Sequence, residues 1–82
     1  MTLIELYYSD ICANCHYVRQ QLMDVLPEGV TFKEINITGP GGEERAKQLG
    51  IFEVPSIAID GDVVLVGRVD RDEIEREIRT YL

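Results

Sequence analysis

Cys12 and Cys15 are the only two cysteines of the chain, and they stand three positions apart inside "YYSDICANCHYVRQQL", residues 7–22. Two sulfurs at this spacing can close a disulfide, hold a metal or fill apolar space. The flanking residues favour the first. The pair falls where an apolar run, Leu3–Tyr8, gives way to a helical pattern that begins at residue 13. A helix start offers unpaired N–H groups and a partial positive charge, and both favour thiolate over thiol. Only the thiolate is a nucleophile. Three-residue spacing puts both sulfurs on one helix face, within reach of a disulfide. Cys12 at the turn is placed for exposure. Cys15, one turn inside, lies on the side that leads to Val18 and Leu22. The pattern points to dithiol–disulfide exchange, with Cys12 attacking and Cys15 resolving.

Other uses of the sulfurs meet specific obstacles. A structural zinc site takes about four ligands, whereas Cys12, Cys15 and the lone His16 supply three at most. A zinc ion or an iron–sulfur cluster would therefore have to be shared between two chains. His16 is adjacent to Cys15 and so points elsewhere on a helix; it is read as a partly exposed residue that tunes local charge. A purely structural pair is disfavoured because Cys12 lies in a turn and not on an apolar face. No cofactor and no metal is expected within one chain.

The elements that must position the sulfurs are short and regular. "LIELYY", Leu3–Tyr8, reads as a buried strand, and residues 13–26 as a helix with Val18, Leu22, Val25 and Leu26 on one face, ended by Pro27. "VTFKEINI" alternates as a second strand, and "TGPGG" is a loop. Glu43–Leu49 forms a short helix closed by Gly50, a residue suited to the left-handed cap. Pro55–Asp60 is a third strand, Asp60-Gly61 a tight hairpin turn, and "VVLVG" the returning fourth strand. Asp70 and Glu73 make a capping box for a last helix with Ile74, Ile78 and Tyr81 or Leu82 as its apolar stripe. The order β-α-β-α-β-β-α suits an α/β fold in which a four-stranded mixed sheet carries three helices on its two faces.

Composition bounds the rest. The chain has 82 residues, 45% hydrophobic and 28% charged, and reads as one domain, 1–82, with an ordinary core. The net charge of −7 leaves no basic stripe for nucleic acid and no attraction to anionic membranes. No apolar run approaches the ~20 residues of a membrane span, and "MTLIELYY" lacks the basic start of a signal peptide. The expected setting is the reducing cytoplasm, where a lone CxxC pair is redox-active more often than a staple.

Two segments, quoted together, resemble a known family. "YYSDICANCHYVRQQL" resembles the active-site segment of thioredoxins and glutaredoxins, and "AKQLGIFEVPSIAIDGDVVLVG" resembles the helix, Val-Pro-Ser and strand that follow it in that superfamily. Their order and separation are most similar to small, glutaredoxin-sized thioredoxin-like proteins of archaea. The resemblance implies a thioredoxin-like fold and a protein disulfide oxidoreductase, most simply a monomeric reductase. It implies substrate proteins with disulfides and a thioredoxin-reductase-type donor, with glutathione as the alternative. It also implies that Pro55 is a cis proline facing the sulfurs, that the backbone of Val54 pairs with a substrate strand, and that Gly67 leaves room for that strand. The chain departs from the pattern in four places. Ala13-Asn14 separates the cysteines, Ile11 replaces the usual tryptophan, and Leu6 stands where thioredoxins bury an aspartate. Glu5 is one residue off, which sends it to the other sheet face. Gly67-Arg68 replaces the Gly-Gly pair of glutathione-binding glutaredoxins.

Overall fold

The computed structural model describes residues 2–82. Strand β1 (Leu3–Tyr8) is followed by helix α1 (Ala13–Val25), β2 (Thr31–Asn36), α2 (Gly42–Leu49), β3 (Ser56–Ile59), β4 (Asp62–Val66) and α3 (Arg71–Tyr81). The strands lie in the order β2-β1-β3-β4, so the fold is the expected four-stranded mixed sheet with three helices. β1 pairs in parallel with β2 and antiparallel with β3, and β3 pairs antiparallel with β4.

The side-chain period of two divides β1 between two cores. Ile4 and Leu6 pack with Ile57, Ile59 and the buried faces of α1 and α3: Val18, Leu22, Ile74 and Ile78. Tyr7 faces the other way, with Ala58, Ala46 of α2 and Ile51. α1 and α3 thus share one face of the sheet and α2 covers the other. At the tail Tyr81 packs against the first core, while Leu82 is exposed.

Local signals end the elements. Gly50 is left-handed at φ 72°, its N–H donates to Lys47 O, and Ile51 N–H donates to Ala46 O. That is the paired bonding of a Schellman cap, with Ile51 buried behind it. Asp60 and Gly61 both have positive φ, as a two-residue type I′ turn requires. Asp60 also reaches back to β1: its Oδ1 accepts from Leu3 N at 2.8 Å. The Asp70–Glu73 capping box starts α3 with both bonds in place. Element ends differ from the sequence reading by a residue or so. β3 begins after Pro55, which has no N–H for the ladder, and β4 stops before Gly67, whose φ of 87° leaves the strand.

The start of α2 is pressed against β2. A Cβ at Gly42 would overlap the carbonyl oxygen of Asn36 and lie 3.2 Å from Ile35 Cγ2. At Gly39 a Cβ would meet Asn36 O only at 3.6 Å, an ordinary contact. Gly42→Ala is therefore expected to cost about 1–3 kcal/mol by overpacking, and Gly39→Ala less than about 0.5 kcal/mol. Urea denaturation of both variants checks this. Equal stability of the two would show that α2 is not seated so closely.

Candidate active site

β1 ends at Tyr8, the chain turns through Ser9, Asp10 and Ile11, and Cys12 becomes the N-cap of α1 with extended φ −114° and ψ 103°. Its Sγ accepts the backbone N–H of Cys15 at 3.1 Å. A sulfur thus occupies the capping position usually held by a Ser or Asp oxygen. Cys12 and Cys15 are joined as a disulfide, with Cα atoms 5.3 Å apart. No acidic residue lies in the first turn of α1, so a Cys12 thiolate would not share that turn with a carboxylate. Cys12 is half-buried, whereas Cys15 is 5% exposed and sits beside the core positions Val18 and Leu22. Ile11, just before the pair, is 96% exposed.

A pocket of about 320 Å³ opens beside the disulfide. It is lined by both sulfur residues together with Leu6, Asp10, His16 and Glu34, and has room for several waters. Its two acids are engaged: Asp10 accepts from Asn36 Nδ2 at 2.8 Å, and Glu34 is ion-paired with Arg19. His16 is exposed on α1.

The other residues singled out from the sequence lie at the same end of the sheet. Tyr7 pairs with Ser56, which sets Pro55 level with Tyr8, where the chain leaves for Cys12. The Val54–Pro55 bond is cis. Pro55 is fully buried, and Val54 packs against the Tyr7–Ala58 core. Gly67 donates its N–H to Pro55 O at 2.8 Å, which ties the end of β4 to the proline loop. Its positive φ is sufficient reason for a glycine there.

Sequence reasoning missed two side-chain clusters. Arg68, on the loop after β4, stacks over the Tyr17 ring at 3.7 Å and donates to Asn14 Oδ1 at 3.3 Å. On the α2 face, Glu5 is 3% exposed and paired with Arg45, Nη2 to Oε1 at 3.3 Å. The Tyr7 hydroxyl lies buried with no hydrogen-bond partner among the described residues. Burial, reinforced by the Glu5 carboxylate, pushes its pKa up to about 12. An acid inside the apolar run "LIELYY" signals a buried partner, but the sequence does not say that Arg45 supplies it. The face is the important point: Glu5 points to α2, and the pocket beside the sulfurs has Leu6 at its wall instead.

Comparison with known proteins places this geometry. A family model described as "Thioredoxin domain" matches residues 2–79. A thioredoxin of Methanocaldococcus jannaschii is 29% identical, over 96% of this chain and 94% of its own. The N21Q mutant thioredoxin from Halobacterium salinarum NRC-1 superposes with a TM-score of 0.80 at 21% identity, covering 98% of this chain and 74% of that one. Mitochondrial thioredoxin 3 from Saccharomyces cerevisiae, in its oxidized form, gives 0.80 at 18% identity, covering 96% of this chain and 77% of that one. No helix among the described residues is long and apolar enough to cross a membrane.

The two faces of β1 make a separable prediction. Glu5→Gln should destabilise the protein by about 1–2 kcal/mol, since the half-exposed Arg45 cation loses its carboxylate and keeps only a bond to a neutral amide oxygen. It should leave the pH dependence of Cys12 alkylation unmoved. Denaturation and rate measurements with iodoacetamide check both halves; a displaced alkylation profile would mean that Glu5 communicates with the sulfurs across the sheet.

Proposed function

Since the chain belongs to the thioredoxin-domain family and is a thiol–disulfide oxidoreductase, we propose that it works as a reductase of protein disulfides, with Cys12 attacking and Cys15 resolving. The observation that carries the assignment of roles is the asymmetry of the pair. Cys12 is the half-buried cap of α1, and Cys15 lies behind it at 5% exposure. The capping N–H and the positive end of α1 favour a Cys12 thiolate. The dipole contributes typically 0.3–1 kcal/mol and up to ~2 in partly buried sites, in the direction that lowers the pKa of the reduced Cys12 thiol.

The cycle starts from the dithiol. The Cys12 thiolate attacks one sulfur of a client disulfide. A Cys12–client disulfide forms, and the other client sulfur leaves as a thiolate that takes a proton. Cys15 then gives up its proton and attacks Cys12 Sγ. The Cys12–Cys15 disulfide closes and the second client thiol is released. Resolution is intramolecular, so a shielded, weakly ionised Cys15 still reacts at high effective concentration. The pocket beside the sulfurs provides a hydrated route for that proton, with His16 at its wall. The client's backbone runs past Val54, Pro55 and Gly67, and the exposed Ile11 supplies apolar contact. The protein acts as a monomer in a reducing cytoplasm. Its disulfide is returned to the dithiol by a protein reductase of the thioredoxin-reductase type, because Arg68 fills the place of the second glycine in glutathione-binding relatives.

Two outcomes test this reading. Cys15→Ser should accumulate a stable mixed disulfide with a client through Cys12, while Cys12→Ser traps almost nothing and loses reduction of insulin disulfides. Non-reducing gels and mass spectrometry distinguish the two, and equal trapping by both variants would reverse the roles. For the donor, the oxidised protein should be reduced faster by a thioredoxin-reductase-type enzyme than by glutathione. Rapid, saturable reduction by glutathione alone would assign the donor the other way.

A further inference from the structure

Arg68 has no part in the exchange steps, yet it is fixed against residues that flank the two cysteines on α1. Its guanidinium lies over the ring of Tyr17, and its Nη1 donates to Asn14 Oδ1. Asn14 is one of the two residues between the cysteines, and Tyr17 follows two positions after Cys15. Both contacts therefore bind the β4–α3 loop to the first turns of α1. Among the described residues, Arg68 has no ion-pair partner within 4.0 Å. That is unexpected on a chain with 15 acidic and 8 basic residues. An aromatic face and an amide oxygen attract a guanidinium without cancelling its charge.

We infer that Arg68 is a positioning residue that holds an uncompensated positive charge against the Cys12–Cys15 turn and so stabilises the Cys12 thiolate of the reduced protein. The inference rests on the exchange reading above. The other charged groups around the sulfurs do not duplicate this role. Asp10, from the β1–α1 turn, opposes a thiolate but is bonded to Asn36. Glu34 of β2 and Arg19 of α1 neutralise one another. His16 of α1 and Tyr8 of β1 also line the pocket, and Glu53 precedes the cis proline loop. Arg68 is the cation tied to the dipeptide between the sulfurs.

The sign of the effect is fixed. A cation near Cys12 lowers the thiolate's pKa. Its stabilisation of the reduced form is present above the unperturbed thiol pKa and is lost as pH falls through the lowered one. Loss of the charge therefore raises the Cys12 pKa and moves the dithiol–disulfide equilibrium toward the disulfide, but only where the thiolate is populated. For a partly solvated charge held at the dipeptide between the sulfurs, the expected factor is roughly threefold, shrinking in high salt.

The test compares wild type with Arg68→Met, Arg68→Lys and Asn14→Ala. Two quantities are read: the pH midpoint of Cys12 alkylation, and the equilibrium between the protein and a glutathione/glutathione-disulfide buffer. In that equilibrium one protein disulfide and two glutathione thiols exchange two electrons with one dithiol and one glutathione disulfide. Arg68→Met should lower the thiolate equilibrium roughly threefold and favour the protein disulfide by a similar factor near about pH 9, with no change near about pH 5.5. Arg68→Lys should retain most of the effect, and Asn14→Ala, which frees the guanidinium, should fall between. Superposable curves for wild type and Arg68→Met overturn the inference. So does a loss in Arg68→Lys as large as in Arg68→Met, or a shift as large at acid pH, since either would make Arg68 a packing element. Should Arg68→Met fail to fold, unchanged curves for Asn14→Ala overturn it equally. A wild-type protein whose Cys12 and Cys15 are joined by neither glutathione disulfide nor oxidised dithiothreitol would overturn the dithiol reading itself, and a wild type that exchanges while Arg68→Met matches it would overturn the role of Arg68 alone.

Discussion

The constraint on which the proposed exchange depends is a sulfur serving as a helix cap. Cys12 Sγ accepts the N–H of Cys15 at the end of α1 where backbone donors are otherwise orphaned. A capping serine oxygen would satisfy the same donor and stop there. Once the disulfide is reduced, a sulfur can also lose its proton, and the thiolate is stabilised by the helix-start donors and dipole. The strength of this device depends on geometry, because the helix field falls off within the first turn. α1 must therefore be held rigidly relative to β1. Val18 and Leu22 seat it on the sheet, and Gln21 and Asp24 link it to Arg71 at the start of α3. Arg68 pins its first turns through Asn14 and Tyr17.

The sheet keeps two kinds of burial apart. On the α1 and α3 face, β1 contributes Ile4 and Leu6, and Leu6 also lines the pocket beside the sulfurs. On the α2 face, β1 contributes Glu5 and Tyr7, and Glu5 is tied to Arg45. An ion pair with one buried end, as here, is weak support for net stability, because desolvation of the Glu5 carboxylate offsets much of the attraction. Breaking it from one side is what costs. The Tyr7 hydroxyl beside it has no hydrogen-bond partner among the described residues, and burial together with the Glu5 carboxylate pushes its pKa up. The pair thus ties α2 to β1 on the sheet face away from the sulfur pocket. The pocket beside the sulfurs lies on the opposite face of β1, with Leu6 at its wall.

What the sequence showed, it showed through short-range patterns. The Asp70–Glu73 box, the Gly50 cap and the Asp60-Gly61 turn each rest on bonds closed within a few residues, so residue type and spacing suffice to read them. The strand–CxxC–helix junction is equally local. Register of β1 was legible in one respect: alternation alone sent Glu5 to the face opposite Leu6, and Arg45 meets it there. Contacts such as Arg68 with Asn14, 54 positions away, and Arg45 with Glu5, 40 away, leave no periodic trace. They depend on which loops the fold brings together. The placement of β1 between β2 and β3 is likewise a property of the assembled sheet. The cis state of Pro55 was implied by family resemblance only; nothing in a Val-Pro dipeptide favours cis over the common trans form.

The most direct measurement is a redox titration of the wild-type protein in dithiothreitol and glutathione buffers, with Cys12 and Cys15 followed by alkylation and mass spectrometry. A dithiol exchanger gives a single two-electron transition that joins these two residues. Its midpoint is expected between about −270 mV, where thioredoxins lie, and about −200 mV, where glutaredoxins begin. Neither Cys12→Ser nor Cys15→Ser should show the transition. Two thiols that stay unpaired across the whole range, or that purify saturated with zinc or an iron–sulfur cluster shared between chains, would contradict it.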